Sequence, residues 1–324
     1  MSFSGKVKKE LSGNADGARH CLIAETAGIL CFGAKADGRD SEGPGAVFQT
    51  ESSPAARKCF TLFKKTFNIV AVIRTGQRVN RSAGKLITVM TEQADTGKML
   101  AACRLERKGS CFVPAARADD SMILRRECCR RAFLRGAFLA AGSMSDPNGK
   151  GYQFELVSPT EEAAEDARAV IASFGINARI NVRKKSFVVY VKDGTDVVTL
   201  LGAMGASGAL MDMENIRIVK EMRNNVNRGL NCDMANINKT VAAAARHTDD
   251  INYIMQHGEF ESLPAQLKET ARLRLLNPEA TLSDLGEMLE PPVGKSGVNH
   301  RLDKISRIAE DLRKKSGEIT EGSR

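Results

Sequence analysis

Hydrophobic and polar positions follow the same plan twice along roughly the first two thirds of the chain. Apolar residues at spacings of three and four predict helices, and short runs rich in β-branched residues predict strands. The first pass predicts a helix, a strand, a helix, two strands and a helix, in that order, over 18–32, 46–51, 54–67, 69–74, 85–91 and 96–105. The second pass predicts the same order over 122–141, 152–158, 159–174, 178–182, 186–192 and 197–204. This repetition predicts a duplicated domain, with room for one further strand in the stretch 33–45.

The first helix of each pass carries a glycine-centred motif, and the two central glycines are 108 positions apart. One copy is Thr26-Ala27-Gly28-Ile29-Leu30-Cys31-Phe32-Gly33-Ala34, and the other is Leu134-Arg135-Gly136-Ala137-Phe138-Leu139-Ala140-Ala141-Gly142. Small residues spaced four apart let two helix backbones approach closely. We therefore expect the repeats to meet through these helices, with the contact formed by Ala24, Gly28, Ala132, Gly136 and Ala140.

Beyond the repeats the pattern becomes entirely helical. Residues 213–257 predict a helical connector, and three further helices follow from Leu263 onwards. The first of these ends at Asn277-Pro278, Thr281 caps a short second helix, and Ser296 is the expected N-cap of a longer third helix. Helix, short helix, turn and longer helix is the order of a helix-turn-helix domain.

Polar residues of the last two helices are the candidate contacts with DNA. On the third helix most of them lie opposite the apolar stripe that begins at Val298, whereas Arg301 lies nearer the buried side. Asn299 can pair bidentately with adenine, His300 can donate to a base edge, and Lys304 can meet phosphate. The free N–H groups of the helix N-terminus can bind phosphate, where a glycine permits close approach. The candidate residues are Thr281, Ser283, Lys295, Ser296, Gly297, Asn299, His300, Arg301, Lys304 and Arg307.

The net charge of +9 favours a polyanionic partner, and the basic excess lies in residues 1–130. Basic residues are concentrated before and within the second motif helix, which predicts a phosphate-facing surface; a solvated basic face without a ligand is the alternative. These residues are Arg104, Arg107, Lys108, Arg117, Arg125, Arg126, Arg130, Arg131 and Arg135.

Composition narrows the class of protein further. Hydrophobic residues make up 42% of the chain and charged residues 27%, without an apolar run that could span a membrane or serve as a secretory signal. We expect a cytoplasmic, nucleoid-associated protein with no membrane partner and no cofactor. The 8 cysteines include no C-x-x-C pair, and the 4 histidines lack ligand spacing. Free buried thiols and no metal site are therefore expected.

The paired motif helices resemble those of the LAGLIDADG homing endonucleases, whose penultimate motif residue is a metal-binding carboxylate. That position is Gly33 in one copy and Ala141 in the other. Neither residue can coordinate a metal ion, so no catalytic residue is expected.

Four stretches together resemble the WhiA family over nearly the whole chain. They are Met1-Ser2-Phe3-Ser4 with Val7–Leu11, Ala27–Gly33, the connector residues Asn227-Arg228, Asn231–Asn236 and Lys239-Thr240, and Lys295–Leu302. The resemblance implies a bacterial regulator of sporulation, or of cell division and chromosome segregation. It also implies a degenerate homing-endonuclease domain joined to a helix-turn-helix similar to the promoter-binding domain of sigma factors.

The predicted fold class is α+β, with a duplicated LAGLIDADG-like αββαββα domain followed by an all-α helix-turn-helix domain. The expected bounds are 1–110 and 111–212 for the repeats, 213–260 for the connector, 261–315 for the helix-turn-helix and 316–324 for a disordered tail. The expected function is sequence-specific, nuclease-inactive transcription regulation on double-stranded promoter DNA. Another transcription factor or RNA polymerase is the candidate protein partner.

Two alternatives remain open at the level of sequence. A metal-dependent endonuclease would use acids just beyond the motif helices, such as Asp37, Asp40 or Asp146. An adaptor would bind protein or a small effector through the repeats, with the helix-turn-helix only tethering it to the chromosome.

Overall fold

The structure is a computed structural model that describes residues 2–14, 17–36, 45–77 and 85–316. Contacts divide the chain into two compact units, Met1–Lys220 and Glu221–Arg324. Within the described part of the chain, no helix is both long and apolar enough to cross a membrane. Most of the expected disordered tail, 317–324, lies outside the described residues.

The first unit contains two copies of one arrangement of helices and strands. The first copy comprises α1 Phe3–Gly13, α2 Arg19–Gly33, β1 Ala34–Ala36, β2 Ala46–Thr50, α3 Ser53–Phe67, β3 Val72–Gln77, β4 Lys85–Thr91, α4 Gln93–Cys103, β5 Leu105–Lys108 and β6 Cys111–Pro114. The second copy comprises α5 Glu127–Ala141, β7 Gly142–Met144, β8 Phe154–Ser158, α6 Glu161–Ala172, β9 Arg179–Arg183, β10 Ser186–Val191 and α7 Gly194–Met204.

Each copy contains a four-stranded antiparallel sheet, and the strand order is equivalent in both. It is β1-β2-β4-β3 in the first copy and β7-β8-β10-β9 in the second. The registers are equivalent too, because Ala34 pairs with Phe48 while Gly142 pairs with Leu156, each 108 positions later. The predicted duplication and the αββαββα order are confirmed.

Three details of the sequence prediction were wrong. The second motif helix begins at Glu127 rather than at residue 122, because successive turns precede it, including the Leu124 N–H to Ser121 carbonyl bond of 3.1 Å. The element-by-element pattern allowed a strand directly after the motif helix only in the first copy, whereas the structure has one in both copies, as the αββαββα fold class requires. The β5–β6 hairpin was missed because three of the four β5 residues are exposed and charged.

Helices α2 and α5 pack against each other in the centre of this unit. Every residue of α2 from Ala24 to Phe32 is buried, and all of them except Glu25 and Thr26 are apolar or glycine. The Phe32 and Phe133 rings meet edge to face with centroids 6.2 Å apart, and Phe138 stacks on Phe154 at 5.4 Å. The two sheets and the remaining helices of this unit share one hydrophobic core with this pair.

The second unit is helical. Helix α8 Ser207–Gln256 contains the boundary between the units, and α9 Ala265–Leu276, α10 Leu282–Glu287 and α11 Lys295–Lys315 follow. The expected connector is helical, although its helix starts at Ser207 rather than at 213. The predicted three-helix order is confirmed. The apolar sides of these helices form one core that includes Leu267, Ala271, Leu285, Leu289, Val298, Leu302 and Ile305.

Candidate nucleic-acid interface

The crossing of α2 and α5 depends on two glycines that face backbone. A Cβ atom on Gly28 would lie 2.3 Å from the Phe133 carbonyl oxygen, and one on Gly136 would lie 2.0 Å from the Glu25 carbonyl oxygen. Neither backbone can move away without displacing its helix, so a side chain is excluded at both positions. The other residues expected at the contact are also packed, with Ala24 and Ala132 buried and Ala140 half-buried against the core.

Of the two positions that hold metal-binding acids in the nuclease-type motif, the one at Gly33 is closed to a side chain here, and the other is Ala141, which has no ligand atom. A Cβ on Gly33 would lie 2.6 Å from Phe48 Cε2 and 2.8 Å from Ala140 Cβ. The adjacent cleft is lined by Lys8 and Lys35, with Glu51 as the one carboxylate among its described lining residues. Burial lowers the pKa of Lys8 to about 8. A divalent cation prefers several oxygen ligands, of which carboxylates are the strongest, and the two lysines of this cleft oppose the single carboxylate with positive charge.

The acids proposed for an endonuclease do not form a metal site in the described residues. Asp146 is exposed, and its carboxylate accepts hydrogen bonds from the Asn148 backbone N–H and side chain at 2.9 and 3.1 Å. These bonds lower the pKa of Asp146. Asp37 and Asp40 lie outside the described residues.

The basic surface predicted on the first unit is smaller than expected, because several of its members pair internally. Arg135 lies 3.0 Å from the buried Glu25 carboxylate, which also lies 3.4 Å from Lys58. Lys108 pairs with Glu162, and Arg131 pairs with Glu127 on its own helix. Arg104, Arg107, Arg125 and Arg126 remain as exposed members of the predicted surface. Arg117 is also exposed, but its Nε lies 3.9 Å from the buried Asp166 carboxylate.

A buried charge cluster therefore occupies the inner side of the α2–α5 crossing. Glu25 is fully buried and joins Arg135 of α5 to Lys58 of α3. Burial lowers the pKa of Lys58, and the nearby Glu25 carboxylate opposes that shift. Arg135 thus serves the junction of the repeats rather than a phosphate-facing surface.

On α11, one face is apolar and buried while the other presents polar side chains. Val298, Leu302 and Ile305 are buried in the core of the second unit. The opposite side carries exposed candidate DNA contacts, which are Lys295, Ser296, Asn299, His300, Lys304 and Arg307. Asn299 donates a hydrogen bond of 3.0 Å to Asp303 Oδ2 one turn along the helix, so its amide orientation is already constrained.

The candidates Arg301, Thr281 and Ser283 do not belong to the exposed polar side of α11. Arg301 is half-buried and donates to the Thr270 hydroxyl at 3.4 Å, so its guanidinium contacts α9. Thr281 is the N-cap of α10, where its hydroxyl accepts from the Asp284 N–H and its own N–H donates to the Asp284 carboxylate. Those bonds lower the pKa of Asp284. Ser283 is exposed.

The start of α11 differs from the sequence prediction. Gly294, with an extended backbone, is the N-cap, and its carbonyl accepts from the Gly297 and Val298 N–H groups; Ser296 lies inside the first turn. No side chain caps this end, so the first N–H groups of the helix are free for an anion. Gly297 has a packing role, because a Cβ there would lie 2.4 Å from Val293 Cγ1.

Two further residues shape the helix-turn-helix and were missed from sequence. A Cβ on Gly286 would lie 2.0 Å from the Val293 carbonyl oxygen, so α10 needs glycine where the following turn returns to it. Arg274 is buried, and it donates to the carbonyl oxygens of Pro278 and Ala280 at 3.3 and 2.8 Å. A buried arginine that closes a turn has no periodic signal, since arginine is ordinarily a surface residue.

One cluster of candidate metal ligands exists among the described residues, at the start of the two crossed helices. His20 and Cys21 of α2 and Cys128 and Cys129 of α5 place their ligand atoms within 4.8 Å of one another. All 8 cysteines are free thiols, but the prediction that they are buried was wrong for Cys128 and Cys232, which are exposed, and for Cys111, which is half-buried. Burial and the neighbouring thiols raise the pKa of Cys129 to about 12.

Sequence profiles of two domain families match this chain. One is the WhiA LAGLIDADG-like domain over residues 130–223, and the other is the WhiA C-terminal HTH domain over residues 226–309. The protein called "Probable cell division protein WhiA" from Lachnoclostridium phytofermentans is 45% identical, over 97% of this chain and 100% of that protein. A protein of the same name from Clostridium perfringens is 41% identical, over 97% of this chain and 99% of that protein.

A solved structure shows the same fold. The crystal structure of full-length DUF199/WhiA from Thermatoga maritima superimposes with a TM-score of 0.58 at 26% identity, covering 96% of this chain and 99% of that one. Its match extends over both units, each of which also contains a matched domain profile. The chain has two repeats that pack closely through glycines, followed by a helix-turn-helix, and it is more than 40% identical to named relatives over nearly its full length. It therefore belongs to the WhiA family.

Proposed function

We propose that this chain is a sequence-specific transcription regulator that binds double-stranded promoter DNA, acts in cell division and chromosome segregation or in sporulation, and does not cut DNA. Its helix-turn-helix profile supports DNA binding, and the names of its relatives support a link to cell division. The site of action we propose is the nucleoid, where such DNA lies.

The observation that carries the proposal is the divided surface of α11. Its apolar residues are fixed in a core, so its polar row is held rigidly outward. A helix of this kind fits the major groove, where an amide or imidazole can distinguish base pairs by their donor and acceptor patterns. We assign base contacts to Asn299 and His300 and phosphate contacts to Lys295, Lys304 and Arg307. The free N–H groups at Lys295 and Ser296 add a second phosphate contact.

The remaining candidates receive narrower roles. Thr281 and Ser283 lie at the start of α10, where an exposed hydroxyl can reach a phosphate. Arg301 orients α11 against α9 through Thr270. Gly297 lets Val293 pack under the first turn of α11.

Loss of nuclease chemistry is supported by the ends of the motif helices. A side chain at Gly33 would collide with Phe48 and Ala140, and the cleft beside it contains Lys8 and Lys35. Positive groups there would repel a catalytic cation but attract a DNA backbone. We therefore assign non-specific backbone affinity, or binding of a transcription factor or RNA polymerase, to the repeats at 1–110 and 111–212. In the proposed division of the chain into domains, the repeats are followed by the connector at 213–260 and the helix-turn-helix at 261–315.

Selection from a random pool of duplexes tests the sequence specificity directly. The full chain should enrich one motif, and Asn299→Ala and His300→Ala should lose that enrichment while keeping weak, salt-sensitive binding. Gln266→Ala is the matched control, since it removes an exposed amide from α9 and should enrich the same motif as the parent chain. If both α11 variants recover the parent motif unchanged, the base contacts lie elsewhere and the assignment is wrong.

Plasmid incubation with Mg²⁺ tests the second part of the proposal. The full chain should leave supercoiled plasmid intact at concentrations that saturate binding. Nicking that disappears in Asp146→Ala would restore the endonuclease interpretation.

A further inference from the structure

Four side chains that no part of the proposed DNA interface uses converge where α2 and α5 begin. His20 Nδ1 lies 3.1 Å from Cys129 Sγ, 3.3 Å from Cys21 Sγ and 4.0 Å from Cys128 Sγ. All four ligand atoms lie within 4.8 Å of one another. A tetrahedral ion with metal–sulfur bonds of about 2.3 Å and metal–nitrogen bonds of about 2.0 Å holds its ligand atoms roughly 3.5–3.8 Å apart. The observed separations bracket that range.

The cluster follows the internal repeat. His20 and Cys128 occupy equivalent positions 108 residues apart, as do Cys21 and Cys129. His20 and Cys21 lie in the first turn of α2, which begins at Arg19. Cys128 and Cys129 lie in the first turn of α5, which begins at Glu127. Each repeat thus contributes two ligands to one point between the helices.

The surroundings suit an ion with thiolate ligands. Two helix N-termini point towards the cluster, and the positive end of a helix dipole favours negative charge in the first turn. Three sulfur ligands and one imidazole form a set that selects zinc over the hard cations that prefer oxygen. A cleft lined by His20, Cys129, Met122 and Arg126 connects the cluster with solvent, so an ion can enter.

We propose that His20, Cys21, Cys128 and Cys129 bind one zinc ion, which clamps the two repeats together at the start of their crossed helices. Binding exchanges the three thiol protons for the metal, and those protons pass to solvent. The clamp lies at the helix ends opposite Gly33 and Ala141, so it is distinct from the ion position of the nuclease-type motif. Its role is structural, since four protein ligands leave no open coordination position.

Cobalt(II) substitution of the full-length chain tests this site. The chain is purified under reducing conditions, a thiol titration in denaturant verifies that every cysteine is reduced, and Co²⁺ is added. We expect one equivalent of cobalt with a thiolate-to-cobalt charge-transfer band, which Zn²⁺ displaces. Cys128→Ser, at an exposed position, should weaken binding by more than about tenfold, since loss of even a supporting residue around a metal costs roughly that much.

Controls separate a lost ligand from a lost fold. Cys232→Ser removes an exposed thiol outside the cluster and should leave the band unchanged. His20→Cys replaces one zinc ligand by another and should retain metal binding, whereas His20→Ala should weaken it. Circular dichroism of each variant reports whether the helices are intact. A fully reduced parent chain that binds no cobalt, or a Cys128→Ser variant that is folded and binds as tightly as the parent, would overturn the proposal.

Discussion

Gly136 touches Glu25 so closely that a Cβ on the glycine would lie 2.0 Å from the glutamate carbonyl oxygen. The contact joins the second repeat to the first. We expect Gly136→Ala to lower the free energy of unfolding by about 3 kcal/mol or more, since overpacking against backbone forces the helices apart. Urea unfolding followed by circular dichroism measures the change.

Gly97 supplies the matched control for that substitution. It lies within α4, and nothing would contact its added Cβ within 4 Å. Gly97→Ala should raise the free energy of unfolding by up to about 1 kcal/mol, through the higher helix propensity of alanine. Equal effects of the two substitutions would show that the glycine crossing is not tight.

The buried Glu25 carboxylate should matter far more than the exposed one at Glu127. Glu25→Ala leaves the buried Lys58 and the half-buried Arg135 without their carboxylate partner, and breaking a buried pair typically costs about 3–5 kcal/mol. Glu127→Ala removes an exposed pair with Arg131 and should change stability little. Thermal unfolding of both variants compares them. A larger effect at Glu127 would contradict the burial described at the crossing.

The buried His247 should make the second unit less stable at acidic pH. It is 3% exposed, and neither ring nitrogen has a hydrogen-bond partner within the described residues. Burial lowers its pKa, helped by Arg246 and Arg274 and opposed by Asp303 and Asp250. As the pH falls, His247 takes up a proton in the unfolded chain near its ordinary pKa of 6.5, at a higher pH than it does in the folded chain. The free energy of unfolding therefore decreases as the pH drops below that value.

Hydrogen exchange of peptides from α9 measures this dependence locally. Protection in the parent chain should fall between pH 7.5 and 5.5, after correction for the intrinsic exchange rate. His247→Phe should reduce the fall, because phenylalanine cannot take up the proton. An identical loss of protection in both proteins would assign the acid sensitivity to other groups.

Lys304 should affect affinity without affecting sequence preference. Each phosphate contact releases counterions and contributes a slope of about −0.9 to a plot of log affinity against log salt concentration. Lys304→Ala should therefore reduce the steepness of that plot by about 0.9 and leave the selected motif unchanged. Fluorescence anisotropy across a salt series gives the slope. A changed motif with an unchanged slope would place Lys304 at a base instead.

Local patterns were sufficient for most of the fold. The repeated order of helices and strands, the two motif helices and the three C-terminal helices follow from periodicity and from capping residues such as Thr281. Strands β1 and β7 could not be predicted from the pattern, because three residues are too few to show the alternation of apolar and polar positions. The start of α11 was misplaced by two residues, since Ser296 is a good N-cap residue but Gly294 adopts the extended conformation that the cap requires.

Features that depend on packing could not be predicted from local patterns. The role of Gly286 requires the path of the turn at Val293, and the pairing of Arg135 with Glu25 requires the crossing of two helices. The His20 cluster joins residues 108 positions apart, so a search for ligands spaced closely along the chain does not find it. The signal that was available is the equivalence of the pairs His20-Cys21 and Cys128-Cys129 within the repeat.

Genome-wide mapping of bound sites tests the central claim, that the polar face of α11 selects the promoters to which this protein binds. The full chain should occupy discrete sites upstream of genes. A chain carrying both Asn299→Ala and His300→Ala, present at the same level and folded, should lose those peaks and spread over the chromosome. Unchanged peaks in that double variant would contradict the account.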